Sequence, residues 1–357
     1  MADTSHGTGG LAFDKRKRSW PNELNILLAL IIIIVIFEIL GQTLPYMKGQ
    51  SFLFDTKDRF DSIFNEARLQ IIILQVAIIG IIALGVTQVI ISGGIDLSSG
   101  PLVAATAMIA MSFAQTELVN GNPNPKAVFG VWAMDLPVMI PIIVGLCFGA
   151  FIGAINGSFI AYARIPPFIA TLGMFLICRG IAQWWTRGQP VSFPTKAYAF
   201  LGSGMMPVVW FLLLAALFHV ILRYTVYGKH TYAIGSNEDA ARMSGINVRR
   251  HKVLVYTIAS SLAAFAGIVL SAKGATAQSG MGEFYELFAI AMAVIGGISL
   301  AGGRGSIVGT VLGAMVIGVI RSGFTYVKLG AYYQLMAMGA IIIAAVVLDQ
   351  YRQRNRG

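Results

Sequence analysis

Charge is scarce in this chain. Of 357 residues, 12% are Asp, Glu, Lys or Arg and 56% are hydrophobic, whereas an ordinary soluble domain carries about 25% charged residues. So few charges cannot cover the surface of a water-soluble protein of this size, and so much apolar content excludes a disordered chain. Cysteine is nearly absent. Cys147 and Cys178 both lie in apolar runs and read as small packing residues, not as a disulfide or a metal pair. The four histidines, His6, His219, His230 and His251, are scattered. There is no H-E-x-x-H, C-x-x-C or G-x-S-x-G run, which argues against a metal site, a catalytic triad and a membrane-embedded enzyme. There is no G-x-x-x-x-G-K-[ST] loop, so ATP hydrolysis is not expected on this chain, and neither is a resident cofactor.

What remains is apolar and faintly basic, with a net charge of +10. A bilayer-spanning helix needs about 20 apolar residues. Candidate spans fall at about 24–43, 69–91, 101–117, 137–162, 166–186, 204–224, 253–273, 285–302, 306–324 and 331–349. The expected fold is therefore all-α: a polytopic membrane protein of about ten transmembrane helices with both termini cytoplasmic. The first stretch follows Lys15-Arg16-Lys17-Arg18 and is too long for a signal h-region, so it reads as an uncleaved helix. The expected organisation is a basic tail over 1–23, one transmembrane domain over 24–349 with a cytoplasmic loop at 225–252, and a second basic tail over 350–357.

The charges fit that layout. It puts 15 of the 26 basic residues inside with only seven acids, Asp96 counted among them. That is the asymmetry of cytoplasmic loops, not the footprint of a nucleic-acid binder. The segment 92–101, Ser92-Gly93-Gly94-Ile95-Asp96-Leu97-Ser98-Ser99-Gly100-Pro101, reads either as a plain turn or as a break inside the membrane, where irregular backbone lines a cavity.

Two glycine patterns stand out. Gly145, Gly149, Gly153 and Gly157 follow one another at spacing four along one helical face, which lets another helix approach closely. Gly93 to Gly100 is echoed by Gly296-Gly297-Ile298-Ser299-Leu300-Ala301-Gly302-Gly303, identical at five of eight positions. The topology puts both copies on one side.

The inner loop carries a short predicted helix. Ser236 or Asn237 caps it, Glu238 and Asp239 fill its positive first turn, Ala240, Ala241 and Arg242 continue it, and Gly245 ends it. Such a helix is expected to bury nothing within the chain. A docking partner explains it, and a solvated loop is the alternative.

Gly235-Ser236-Asn237-Glu238-Asp239-Ala240-Ala241-Arg242-Met243-Ser244-Gly245-Ile246 resembles the cytoplasmic motif of permease subunits of ABC importers. Gly93 to Gly100 resembles the hallmark of their monosaccharide branch, which handles ribose, xylose, arabinose, galactose and inositol. Pro167 to Gly173 with Arg179-Gly180, Ile295 to Gly305, and Tyr332-Tyr333-Gln334-Leu335 look the same way, so the resemblance runs from about 65 to 350. It implies a subunit of the bacterial inner membrane that translocates a monosaccharide or cyclitol, myo-inositol or ribose ahead of others, by alternating access. It also implies three kinds of partner: an ABC ATPase on the 235–245 motif, a periplasmic sugar-binding protein, and a second copy of the permease. A branched-chain amino-acid permease and an ATP-independent secondary transporter are the alternatives.

Polar groups inside apolar spans are costly and usually face the interior. That reasoning names Gln75, Gln88, Asp96, Ser98, Ser99, Asn156, Thr171, Arg179, Glu286 and Ser299 as pathway candidates, with the Gly93-Gly94 turn beside them. Asp96 is expected to cap the following helix or to touch sugar. Arg179 is expected to pair or snorkel, and Glu38 to reach water at the end of the first span.

Overall fold

The computed structural model describes residues 22–44, 51–54 and 65–354. The Lys15 to Arg18 cluster and the last three residues lie outside the described part. Among the described residues, seven helices are long and apolar enough to cross a membrane: α1 (Asn22–Thr43), α2 (Glu66–Ile91), α4 (Met139–Ala161), α5 (Pro167–Trp184), α7 (Met206–Tyr224), α10 (Val248–Gly274) and α12 (Ile307–Tyr326). Three further apolar segments are shorter: α3 (Ser99–Ser112), α11 (Tyr285–Ile295) and the apolar part of α13 (Ala331–Arg354). Each of the ten expected spans thus coincides with an apolar helix, and the chain is an all-α polytopic membrane protein. Two expected spans are corrected in length. The 101–117 span ends at Ser112 and the 285–302 span ends at Ile295, so neither helix is long enough to cross a bilayer.

α2 and α10 form the centre. Every α2 residue from Val76 to Ile91 is buried, as befits a helix apolar on all sides. α10 packs on α4 most extensively, then on α3 and α2. The α4 glycine stripe lies along this seam. Gly145 faces Ile268, Gly149 faces Ser260 and Ala264, Gly153 faces Tyr256 and Thr257, and Gly157 faces Val253. From Gly149 to Gly157 the two backbones come into direct contact because no Cβ separates them. In a bilayer, where apolar burial gives helices little reason to associate, close packing of this kind is a main source of cohesion.

The two ends of the bundle differ. One end carries the Gly93 turn, Arg164, the 225–252 loop and the start of α12, where Ser306 meets Glu23 of α1. The opposite end carries two small antiparallel pairings, β1 (Leu118–Val119) with β2 (Asn122–Pro123) and β3 (Val191–Ser192) with β4 (Thr276–Ala277). Glu38 sits there too. Its carboxylate accepts the N–H groups of Phe52 and Leu53 at 3.0 Å each, so it anchors a loop where water was the expected partner.

Candidate functional site

The segment 92–98 is a break and not a surface turn. It is non-helical, yet Gly94, Asp96 and Ser98 are buried, with Asp96 and Ser98 at 0% exposure. Irregular backbone at such depth is tolerated only when enclosed by protein. α2 ends on Gly93 (φ +81), whose N–H bonds Ile90, while Gly94 bonds back to Val89. The chain then turns inward and starts α3 at Ser99 inside the bundle. Pro101 fits without distortion because it lies in the first helical turn, where its missing N–H has no intrahelical acceptor to lose.

A second crossing is broken in the opposite sense. The chain leaves the end of α10 at Gly274, stays non-helical to Phe284, and only then begins α11, which runs to the Gly296-Gly297 turn. Both echo segments therefore terminate helices at the basic end of the bundle. Gly303 donates to the Ile91 carbonyl at 2.8 Å, which puts them side by side as expected. The register is corrected by one residue. Gly297 (φ +84) bonds Val294 and Ile298 bonds Ala293, so Gly93 is matched by Gly297 and not by Gly296. Both are left-handed helix ends of the kind glycine favours.

The first turns of α3 and α11 meet inside the bundle. Gly100 lies against Glu286 and Gly282, and a Cβ there would collide with the Glu286 carboxylate. Asp96 Oδ1 accepts Ser98 N–H at 2.9 Å and the Ser98 hydroxyl at 2.6 Å, and Asn156 Nδ2 donates to Ser98 Oγ at 2.9 Å. Asp96 thus braces the turn that precedes α3, and Ser98 holds the cap position, with no side-chain bond to the helix. The Tyr256 hydroxyl donates to the Ile95 carbonyl at 3.2 Å, and Thr171 donates to Pro167 at 2.8 Å while lying 3.5 Å from Ile95 O. Arg179 donates to the carbonyls of Ser279 and Met281 at 2.5 and 3.2 Å and forms no ion pair among the described residues. Four buried polar atoms in this cluster have no partner among the described residues: Asp96 Oδ2, Ser99 Oγ, Asn156 Oδ1 and Glu286 Oε2. Buried polar atoms are normally satisfied, so four orphans at one junction of two helix starts require an explanation.

Asp96, Ser98, Ser99, Asn156, Thr171, Arg179 and Glu286 therefore converge, with Gly94 beneath the Tyr256 hydroxyl. Gln75 does not join them, because it is exposed on the outside of α2. Ser299 and Gly93 lie at the helix ends near the basic face, away from the cluster. Gln88 serves α2 itself: it donates to Leu84 at 3.1 Å and accepts from Tyr227 at 2.8 Å. Tyr256 escaped the sequence reading because a lone tyrosine in an apolar helix looks like any core aromatic.

The basic loop is more ordered than its sequence implied. α8 (Val226–Ser236) continues from α7, and α9 (Glu238–Met243) follows at once. Asn237, not Ser236, caps α9 through Ala240 N–H at 2.9 Å, and Gly245 closes it at φ +85. The expectation that the loop buries nothing is corrected: Ile234, Ala241 and Val248 form a small core of their own. Glu238 bonds Arg242 at 2.9 Å and Lys252 at 2.6 Å, whereas the Asp239 side chain is 89% exposed. Met243, 88% exposed, is an apolar side chain standing free on the same helix. Gly235 belongs to α8 and faces inward, against Ile91 and Gly303. Burial pushes the Tyr227 hydroxyl well above its usual pKa, so it stays a donor to Gln88. α8 is thus bonded to α2 at Gln88 and wedged at Gly235 between the end of α2 and Gly302-Gly303.

Residues 68–346 match a family described as branched-chain amino acid transport system / permease component. Among curated proteins, the chain is 35% identical to the ribose import permease protein RbsC of Escherichia coli K12, over 94% of this chain and 96% of that one. It is 38% identical to RbsC of Bacillus subtilis, over 77% and 82%, and 36% identical to the galactose/methyl galactoside import permease protein MglC of E. coli K12, over 77% and 84%. No solved structure matches the chain. These relatives are transport components and not enzymes. With the family matched over most of its length and its helices broken at a buried polar junction, the chain belongs to the permease family of the branched-chain amino acid transport system / permease component type.

Proposed function

We propose that this chain is the membrane-spanning subunit of an ATP-driven importer of the bacterial inner membrane and that it carries a monosaccharide. The observation behind this reading is its identity to a ribose import permease along nearly the full length of both chains. Ribose leads and galactose follows; neither relative lends support to myo-inositol. The description of the matched family favours a second reading, import of a branched-chain amino acid. The complex reconstituted with its ATPase and binding protein is expected to take up labelled ribose, with galactose weaker, and to leave labelled leucine outside. Leucine uptake would reverse the assignment. Uptake that persists without ATP and collapses with an uncoupler would make it a secondary transporter.

In this proposal the basic end is cytoplasmic, α3 and α11 complete their crossings together with the irregular segments that precede them, the other apolar helices cross the bilayer unaided, and both termini lie inside. α9 docks on the ATPase through Asp239 and Met243. Its motion passes to α8, through Gly235 to the end of α2 and to Gly302-Gly303 beyond α11, and so to the junction of α3 and α11. There the orphaned oxygens of Asp96, Ser99, Asn156 and Glu286 are the natural partners of sugar hydroxyls. Differential contacts with nucleotide-bound and nucleotide-free ATPase bias the two states. A second copy meets the exposed face of α5, where nothing lies within 4 Å of a Cβ placed at Gly173 or Gly180.

The docking part has its own test. Asp239→Lys combined with Met243→Glu is expected to cut ATPase co-purification at least tenfold, with insertion and melting unchanged. Full co-purification would remove α9 from the interface. Glu238→Lys is a poorer probe, because it breaks two bonds inside the loop.

A further inference from the structure

At the basic end a cavity of about 380 Å³ opens between the C-terminus of α4, the starts of α5 and α10, and α9. Four cations line it, Arg164, Arg242, Arg249 and Lys252, against one acid, Glu238. Glu238 is already engaged by Arg242 and Lys252. Arg164 and Arg249 carry no ion pair among the described residues, and both are exposed. Arg249 stands over the ring of Tyr162, 5.9 Å from its centroid. Arg164 is held at φ +56, a backbone conformation uncommon for a side-chain-bearing residue. The first turns of α5 and α10 also open on this space and add the positive ends of two long helices.

Its position selects the ligand. The cavity lies where α4, α5 and α10 end, at the level where spanning helices leave the apolar layer. Just beside it, Phe159, Phe168 and Ile169 are exposed on α4 and α5. A basic pocket that continues into an exposed apolar helix face matches a molecule with an anionic head and acyl chains. We propose that this cavity binds the phosphodiester headgroup of an anionic phospholipid of the adjoining leaflet, with Arg164 and Arg249 as its free cations and the acyl chains along α4 and α5. Glu238 and Arg242 of α9 form one wall, so a bound headgroup steadies that helix from the membrane side.

The test uses the purified full-length permease in lipid nanodiscs of phosphatidylcholine, titrated with phosphatidylglycerol, and in a separate arm with inorganic phosphate. Phosphatidylglycerol is expected to raise the melting midpoint, and phosphate at matched concentration to leave it unchanged. Each basic residue near a membrane surface strengthens anionic-lipid binding about fivefold, so Arg164→Gln with Arg249→Gln should weaken the apparent affinity roughly 25-fold. Its midpoint in pure phosphatidylcholine should match wild type. Arg164→Lys with Arg249→Lys keeps the charge and should retain most of the response, which separates lost binding from misfolding. An equal response to both lipids, or an undiminished response in the Gln variant, would overturn the proposal. A full response to phosphate alone would reassign the cavity to a free anion and overturn the lipid.

Discussion

Gly153→Leu is expected to break the bundle. A Cβ at Gly153 would lie 2.5 Å from the Tyr256 carbonyl oxygen and 2.7 Å from Thr257 Cα, both of them backbone atoms of α10. No rotamer change relieves such a contact, so α4 and α10 must separate. Overpacking against movable side chains costs about 1–3 kcal/mol. Here the helix axes have to move along the most extensive seam in the molecule, so the loss should exceed about 3 kcal/mol, beyond the range of most point changes. The consequence reaches the polar junction as well, because Asn156 lies on α4 one turn below Gly153 and holds Ser98. Melting in detergent is the measurement. Gly339→Leu serves as control, since nothing lies within 4 Å of a Cβ there, and it should change stability by less than about 0.5 kcal/mol. If the two variants melt alike, α4 and α10 are not held by close backbone contact.

Asp96→Asn is expected to leave a folded, inserted permease whose uptake falls more than tenfold. The amide keeps an oxygen where Oδ1 accepts both bonds from Ser98, so the turn before α3 survives. What changes is the other position, the orphaned Oδ2, which turns from acceptor into donor. A hydrogen bond to a charged group contributes about 1.5–3 kcal/mol, so its loss translates into roughly tenfold or more. Asp96→Ala should do worse. It strands two buried donors at about 1–3 kcal/mol each and lowers stability together with transport. Normal uptake by Asp96→Asn would reduce Asp96 to a brace for the turn and move the sugar elsewhere.

The glycines show how far sequence reading reaches. The stripe from Gly145 to Gly157 declared a close helix contact by spacing alone, because four positions one turn apart share a face in any helix. Its partner was not written there: Tyr256, Thr257 and Ser260 carry no matching pattern. The echo at Gly93 and Gly296 was visible as words, but its register was off by one. The meaningful unit is a left-handed helix end, and only backbone torsions reveal which glycine occupies it. Polar residues divided the same way. Rarity in apolar spans singled out Asp96, Asn156 and Glu286 as pathway candidates, and the packing brings them to one junction. The same rarity also selected Gln75, which faces outward, because composition does not distinguish one side of a helix from the other.

By itself, the sequence determined that this protein lives in a membrane as a bundle of helices. It also determined where the +10 charge gathers, because hydrocarbon thickness and the cost of charge act locally on each segment. It marked 236–245 as a capped helix for the same reason, since capping is a matter between neighbours in the chain. The tertiary structure decided which crossings are broken, that the starts of α3 and α11 meet beside Glu286, and that Asp96 leaves the charged rim for the interior. It also decided that Glu238 is spent inside the loop while Asp239, bonded to Arg242 at 3.3 Å, and Met243 are exposed to solvent. Each of these depends on residues far apart in the chain arriving within a few ångströms, and only the packing of whole helices sets such distances.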